Sequence, residues 1–106
     1  MRYKHIAITA ALTLPMLSAA QVHAADVARG KELHDSHCTQ CHIRLMGKDG
    51  SEIYTRENRR IHSLNALDQQ VHRCKDSMGA DWPDDKIEDV VAFLNQKYYH
   101  FDGFEE

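Results

Sequence analysis

The residues with the clearest chemical potential are two thiols and an imidazole within five positions, Cys38-Thr39-Gln40-Cys41-His42. This spacing places the two sulfur atoms about one turn apart, with the imidazole directly beside the second. Three kinds of site use a C-x-x-C pair: a reversible disulfide, half of a zinc site, and a porphyrin attached through thioether bonds. The sequence around the motif distinguishes between these three kinds of site.

The surrounding sequence favours the porphyrin. A redox pair is usually found near a βαβ pattern, and a zinc site needs a second pair of ligands, which the third cysteine, Cys74, does not supply alone. Two thiols at this spacing can add to the two vinyl groups of one porphyrin, and His42 is then held under the iron. We therefore predict one haem c bound by Cys38 and Cys41, with His42 as the proximal iron ligand. Cys74 is expected to be a small buried hydrophobe.

The second axial ligand is expected to be Met78. Methionine is the common partner of histidine in electron-carrying haem proteins, and it raises the reduction potential. Met46 is only four residues after His42 and too near to reach the opposite face of the porphyrin. His72 is the main alternative and would lower the potential, but it points about 100° away from the apolar face of its predicted helix. An iron that neither residue binds would keep an open sixth position.

The first 24 residues read as a secretory signal. Arg2 and Lys4 are followed by an apolar stretch, and Val22-His23-Ala24 is typical of a signal peptidase site. The apolar run is about 15 residues long and contains Pro15, which is short against the roughly 20 residues of a membrane span. We expect cleavage after Ala24, a periplasmic location and no stable membrane insertion.

Residues 25–106 are expected to form a single domain. These 82 residues are few for a self-sufficient core, so a cofactor is expected to supplement it. Without Arg2 and Lys4, 11 basic residues face 16 acidic ones, a formal charge of −5. So acidic a domain is not expected to bind nucleic acid. Arg56, Arg59 and Arg60 are a basic concentration that could face haem propionates, dock an acidic partner, or simply be solvated.

The hydrophobic periodicity predicts an all-α domain with three helices. The first runs from Asp26 to His37, the second begins at the N-cap Ser63 and ends near Gly79, and the third opens at Pro83. The intervening stretch 44–62 has no sustained period and reads as a long loop. The aromatic stretch 98–101 is expected to fold back on the core. The predicted buried positions are Val27, Gly30, Leu33 and His34; Leu64, Leu67, Val71 and Cys74; and Ile87, Val90, Val91, Leu94 and Tyr98.

These features resemble a class I cytochrome c over nearly the whole of residues 25–106. Gly30 lies eight residues before Cys38, as the family's glycine does, and Val90 and Phe93 match its C-terminal pair, while His34 stands where the family usually has an aromatic residue. The resemblance implies N-terminal and C-terminal helices that cross beside the covalently bound haem. The small Gly30 would let the two backbones approach closely.

The resemblance also implies a function, a one-electron carrier that meets redox partner proteins transiently, acts as a monomer and is not an enzyme. Two alternatives stay open. An open or weakly held sixth position would suit a protein that binds small gaseous ligands. The domain could also be a small subunit of a larger oxidoreductase.

Overall fold

The computed structural model describes residues 9–13 and 24–103, and in these ranges the regular structure is entirely helical. The predicted all-α fold class is confirmed. The predicted signal, residues 1–24, lies outside the described residues except for 9–13 and Ala24, so its cleavage stays a prediction. In chain order the elements are α1 (Val27–His37), α2 (Thr39–Met46), α3 (Glu52–Thr55), α4 (Leu64–Met78), α5 (Asp84–Leu94) and a π-helical turn (Asn95–Tyr99).

The crossing of α1 and α5 brings two backbones into direct contact at Gly30. A Cβ atom on this residue would lie 2.0 Å from the carbonyl oxygen of Asp89 and 3.0 Å from the amide nitrogen of Val90. No side chain larger than hydrogen fits there without a shift of the helices. The crossing expected from Gly30 and Val90 is confirmed.

A buried carboxylate fixes the same crossing at the beginning of α1. Asp89 has no exposed surface, and its side chain accepts hydrogen bonds from the backbone N–H of Asp26 (2.7 Å) and from Nε of Arg29. Asp26 in turn caps α1 by accepting from the backbone N–H of Arg29 at 3.0 Å. Because a buried charge is costly unless it is paired, these bonds compensate for burying Asp89.

Local signals set the ends of α4 as predicted. The Ser63 side chain accepts a hydrogen bond from the Ala66 N–H at 3.0 Å, which satisfies one of the free donors of the first turn. Gly79 ends the helix in a left-handed conformation with φ of 67°. Leu67 and Val71 are buried on the inner face of α4, which packs against α5.

The long loop predicted for residues 44–62 is only partly correct. The helix that begins at Thr39 continues through Ile43-Arg44-Leu45-Met46, and it stops at Gly47, which has φ of 75°. One further helical turn, α3, follows within the same stretch. Both helices are shorter than the window over which an apolar period can be recognised, which is why the periodicity did not reveal them.

The aromatic end of the chain folds back on the core as predicted. Tyr99 is buried, and Tyr98 stacks on Tyr54 of α3 with 4.9 Å between ring centroids. The Asn95 side chain holds the returning backbone, accepting from the Phe101 N–H at 2.7 Å and donating to the Phe101 carbonyl at 3.1 Å.

Candidate cofactor site

The four residues predicted to bind the cofactor line one cavity of about 420 Å³. Cys38, Cys41 and His42 come from the α1–α2 junction and α2, and Met78 comes from the C-terminal end of α4, so residues far apart in sequence meet at one site. Much of the remaining wall is apolar and is supplied by α4, α5 and the segments around α3: Ile53, Ile61, Leu67, Val71, Trp82, Val90 and Leu94.

The thiol pair sits at the edge of this cavity, with Cys38 half-buried and Cys41 exposed. Burial, with smaller contributions from the nearby thiols of Cys74 and Cys41, raises the pKa of Cys38 to about 11. Cys38 is therefore a neutral thiol at neutral pH. Redox-active C-x-x-C pairs depend on a thiolate with a lowered pKa, which Cys38 does not have.

His42 presents its imidazole in a defined orientation. Its Nδ1 lies 2.9 Å from the hydroxyl of Tyr54, so Nε2 is the nitrogen left to bind a metal. Burial, and to a smaller extent the neighbouring His34, lowers the pKa of His42. The imidazole is therefore neutral at neutral pH, as metal ligation requires.

On the α4 side, Met78 and Cys74 both line the cavity, one helical turn apart. Met78 is 38% exposed at the last position of the helix, and the Cys74 sulfur accepts from Nε2 of Gln70 at 3.2 Å. His72 lies outside the cavity lining, in a shallow surface depression beside Asp68, at 3.7 Å from its carboxylate. Among the described residues, Met78 is therefore the better placed of the two ligands that the sequence left open.

Two of the predicted basic residues, Arg56 and Arg60, also reach the cavity wall. The Nε atom of Arg56 is buried and has no hydrogen-bond partner within the part of the chain that the structure describes. Arg59 points elsewhere, donating to the carbonyl of Tyr54 at 3.3 Å and lying over the Tyr99 ring. A buried donor without an acceptor is costly, so the Arg56 guanidinium is suited to an anionic group of a bound molecule.

The chemistry of the site fits a haem, and its volume is that of a cofactor pocket. Its donors are two thiols on one rim, a neutral imidazole beside them, a thioether from α4 and a guanidinium with an orphaned N–H. The volume lies within the roughly 300–1,000 Å³ of cofactor and ligand pockets, and the apolar lining with few polar groups is also typical of them.

Sequence reasoning missed two contacts of the site, that of Tyr54 with His42 and that of His34 with Tyr54. Tyr54 is buried and bonded to His42, and His34 is bonded to Tyr54 at 2.8 Å. Tyr54 lies twelve residues from His42 in what reads as a loop, so no spacing rule connects them. His34 was predicted to be buried on the inner side of α1, and it is, but its contact with Tyr54 could not be predicted.

A comparison with known protein families identifies the family to which the chain belongs. The model of the family described as cytochrome C oxidase, cbb3-type, subunit III matches residues 25–94, which include the whole C-x-x-C-H motif and Met78. The chain belongs to this cytochrome c family. Searches of curated proteins and of solved structures gave no match.

As a cytochrome c domain, the chain is a haem-binding electron-transfer protein, and its family implies a covalently bound haem c. The match also confirms the cytochrome c-like fold predicted from Gly30, Cys38 and the α5 pair. Among residues 9–13 and 24–103, no helix is long and apolar enough to cross a bilayer.

Proposed function

We propose that this cytochrome c is a periplasmic monohaem protein that carries single electrons between redox partners, and that it is not an enzyme. Cys38 and Cys41 would hold the haem through thioether bonds, His42 would be its proximal ligand and Met78 its distal ligand. The observation that carries the proposal is the convergence of these four residues on one largely apolar cavity.

The bound haem would supply the one-electron couple of its iron. Cys38 and Cys41 would fix it to the chain, so that it would not be lost between encounters. His42 and Met78 would give the iron two constant ligands, and a constant coordination would keep the structural rearrangement on electron transfer small. Leu67, Val90 and Leu94 exclude water from the interior side of the cavity. Arg56 is positioned to neutralise a propionate.

The exposed rim of the cavity suits a transient partner. Leu45 is 73% exposed and Met78 is 38% exposed, and both line the cavity. A small apolar contact surrounded by charge is typical of weak redox encounters, which bury less area than stable complexes. Because an electron can cross without a covalent step, such a contact is sufficient.

The first experiment tests attachment and export together. The full chain is expressed with a c-type maturation system, and the mass and the N-terminus of the periplasmic product are determined. We expect a chain that begins at Ala25 and carries the mass of one haem. The double variant Cys38→Ala/Cys41→Ala should lose the covalent haem, whereas the matched control Cys74→Ala should keep it. A wild-type product that is colourless, with the mass of bare polypeptide, would contradict the proposal.

The second experiment tests Met78. The oxidised wild type should show the weak charge-transfer band of methionine–iron coordination at the red end of its spectrum. Met78→Ala should abolish this band and let the reduced protein bind carbon monoxide. Met46→Ala is the control, since Met46 lies on α2 outside the cavity lining and contacts Arg56 instead. A wild type that is high-spin and binds carbon monoxide readily would point to the gas-binding alternative.

A second function, a small subunit of a larger oxidoreductase, is favoured by the family match. That family is described by its oxidase subunit III. The two functions differ in the lifetime of the complex: a subunit co-purifies with its partners from the native host at low protein concentration, whereas a shuttle runs as a monomer on size exclusion.

A further inference from the structure

We propose that Tyr54, His34 and Asp35 form a directed chain of hydrogen bonds behind His42, which orients the proximal imidazole and lowers the reduction potential of an iron bound to it. The inference rests on the proposed function of the site. It concerns residues that lie outside the attachment motif and that no spacing rule connects to it.

The chain of hydrogen bonds is continuous in the structure. The Tyr54 hydroxyl lies 2.9 Å from Nδ1 of His42 and 2.8 Å from Nε2 of His34. The other ring nitrogen of His34, Nδ1, lies 3.0 Å from Oδ1 of Asp35. Tyr54 and His34 are each only 7% exposed, so water has little access to the middle of the chain.

Metal ligation gives each hydrogen bond a direction. With Nε2 of His42 on the iron, the ring proton is on Nδ1 and is donated to the Tyr54 oxygen. Tyr54 then donates its single proton to Nε2 of His34, because a hydroxyl has only one. His34 must therefore carry its own proton on Nδ1, where it is donated to Asp35. Every proton has an acceptor, and the chain ends on a carboxylate.

The carboxylate of Asp35, at the end of the chain of hydrogen bonds, determines its electrostatic effect on His42. Hydrogen bonds from Lys31 first, and then from His34, lower the pKa of Asp35, so its carboxylate is ionised at neutral pH. Hydrogen bonds in a chain polarise one another, and a carboxylate at the end pulls on each proton in turn. The His42 ring thereby becomes a more electron-rich ligand. Such a ligand stabilises ferric iron more than ferrous iron, which lowers the potential.

Packing around Tyr54 and His34 holds the chain of hydrogen bonds in this geometry. Tyr54 is covered by the stacked ring of Tyr98, and its backbone carbonyl accepts from Arg59. His34 packs against Phe93 of α5 with 5.3 Å between ring centroids. The loop before α3 rests on the backbone of His42 at Gly50. The hydroxyl of Tyr54 is therefore positioned by three different parts of the fold.

The test compares Tyr54→Phe with Tyr98→Phe in the haem-loaded protein. Both changes remove one hydroxyl from stacked rings, but only the hydroxyl of Tyr54 takes part in the chain of hydrogen bonds behind His42. Loss of a partner of a metal-bound histidine commonly changes metal affinity about tenfold or more. If the preference for ferric iron falls about tenfold in Tyr54→Phe, the potential rises by about 59 mV. Tyr98→Phe should leave the potential unchanged within a small fraction of this shift.

A second measurement separates this role from a purely structural one. In the reduced, diamagnetic protein, nitrogen–proton correlation spectra should show a proton on Nδ1 of His42 and on Nδ1 of His34. His34→Phe keeps a ring in the packing position but removes the acceptor for Tyr54, so the potential should rise by less than in Tyr54→Phe. Equal potentials for wild type and Tyr54→Phe, or a His34 proton found on Nε2, would overturn the proposal. Absence of covalent haem from wild type would instead contradict the proposed function.

Discussion

Gly47 and Gly50 differ in what a side chain at each position would meet, and the difference lies at His42, the proposed proximal ligand. Both have a left-handed backbone, with φ of 75° and 82°. Around Gly47 a Cβ atom would meet nothing within 4 Å, but on Gly50 it would lie 2.8 Å from Cβ of His42 and 2.9 Å from its carbonyl carbon. Gly50 is thus needed for close contact with His42, in addition to its backbone conformation.

We predict that Gly50→Ala destabilises the haem-loaded protein more than Gly47→Ala does. Both variants place an alanine at positive φ, which costs about 1–3 kcal/mol, but only Gly50→Ala adds an overpacking cost of about 1–3 kcal/mol. Denaturant unfolding followed by circular dichroism measures both. Equal losses for the two variants would show that the loop does not rest on His42.

The residues that carry the proposed chemistry could be predicted where they belong to a short sequence motif. They could not be predicted where residues far apart in sequence meet only in the folded structure. Cys38, Cys41 and His42 lie within five positions, and Met78 was selected because Met46 is too near His42 along the chain. Tyr54 contacts His42 through a turn whose shape depends on Gly50, which the sequence shows only as a glycine.

The α1–α5 crossing depends on two features of different kind, a backbone contact at Gly30 and a buried carboxylate at Asp89. The helix ends themselves followed from local chemistry, since Ser63, Gly79 and Pro83 act within one turn and their effect can be predicted from sequence. Asp89 could not be recognised in advance. It reads as one more acid among several on α5, and only the approach of α1 buries it.

Gly30→Ala should weaken the crossing, because its Cβ would lie 2.0 Å from the Asp89 carbonyl oxygen and the helices would have to separate. We expect a loss of about 1–3 kcal/mol in the free energy of unfolding, typical of overpacking. Thermal unfolding of the haem-loaded protein measures it. Gly103→Ala is the control, since a Cβ there meets nothing within 4 Å. An unchanged midpoint for Gly30→Ala would contradict the close contact.

Asp89→Asn should also destabilise the crossing. The amide keeps one acceptor but puts an NH₂ group where Asp26 N–H or Arg29 needs an oxygen, and an unmatched buried polar group costs about 1–3 kcal/mol. Asp85→Asn is the matched control on the same helix, because Asp85 contacts the same Arg29 but its side chain is 47% exposed. A loss for Asp85→Asn as large as that for Asp89→Asn would show that the carboxylate of Asp89 has no special role.

At the scale of the whole molecule, the cavity is large relative to the core that surrounds it. Without a bound group, the apolar side chains that line its 420 Å³ would face water and would contribute little burial to so small a domain. Cofactor binding and folding are therefore expected to be one event.

The Cys38→Ala/Cys41→Ala protein should accordingly lose much of its helical signal and its cooperative unfolding transition, whereas Cys74→Ala should keep both. Far-ultraviolet circular dichroism during a thermal ramp distinguishes them. A haem-free double variant that melts cooperatively near the wild-type temperature would show that the helices form a stable core by themselves.

The walls of the cavity come from distant parts of the chain, and this separation has a consequence for biogenesis. Cys38 and Cys41 lie at the α1–α2 junction, whereas Val90, Leu94 and Tyr99 come from a much later part of the chain. We therefore expect a haem to be joined to the two sulfurs before the C-terminal helix docks over it.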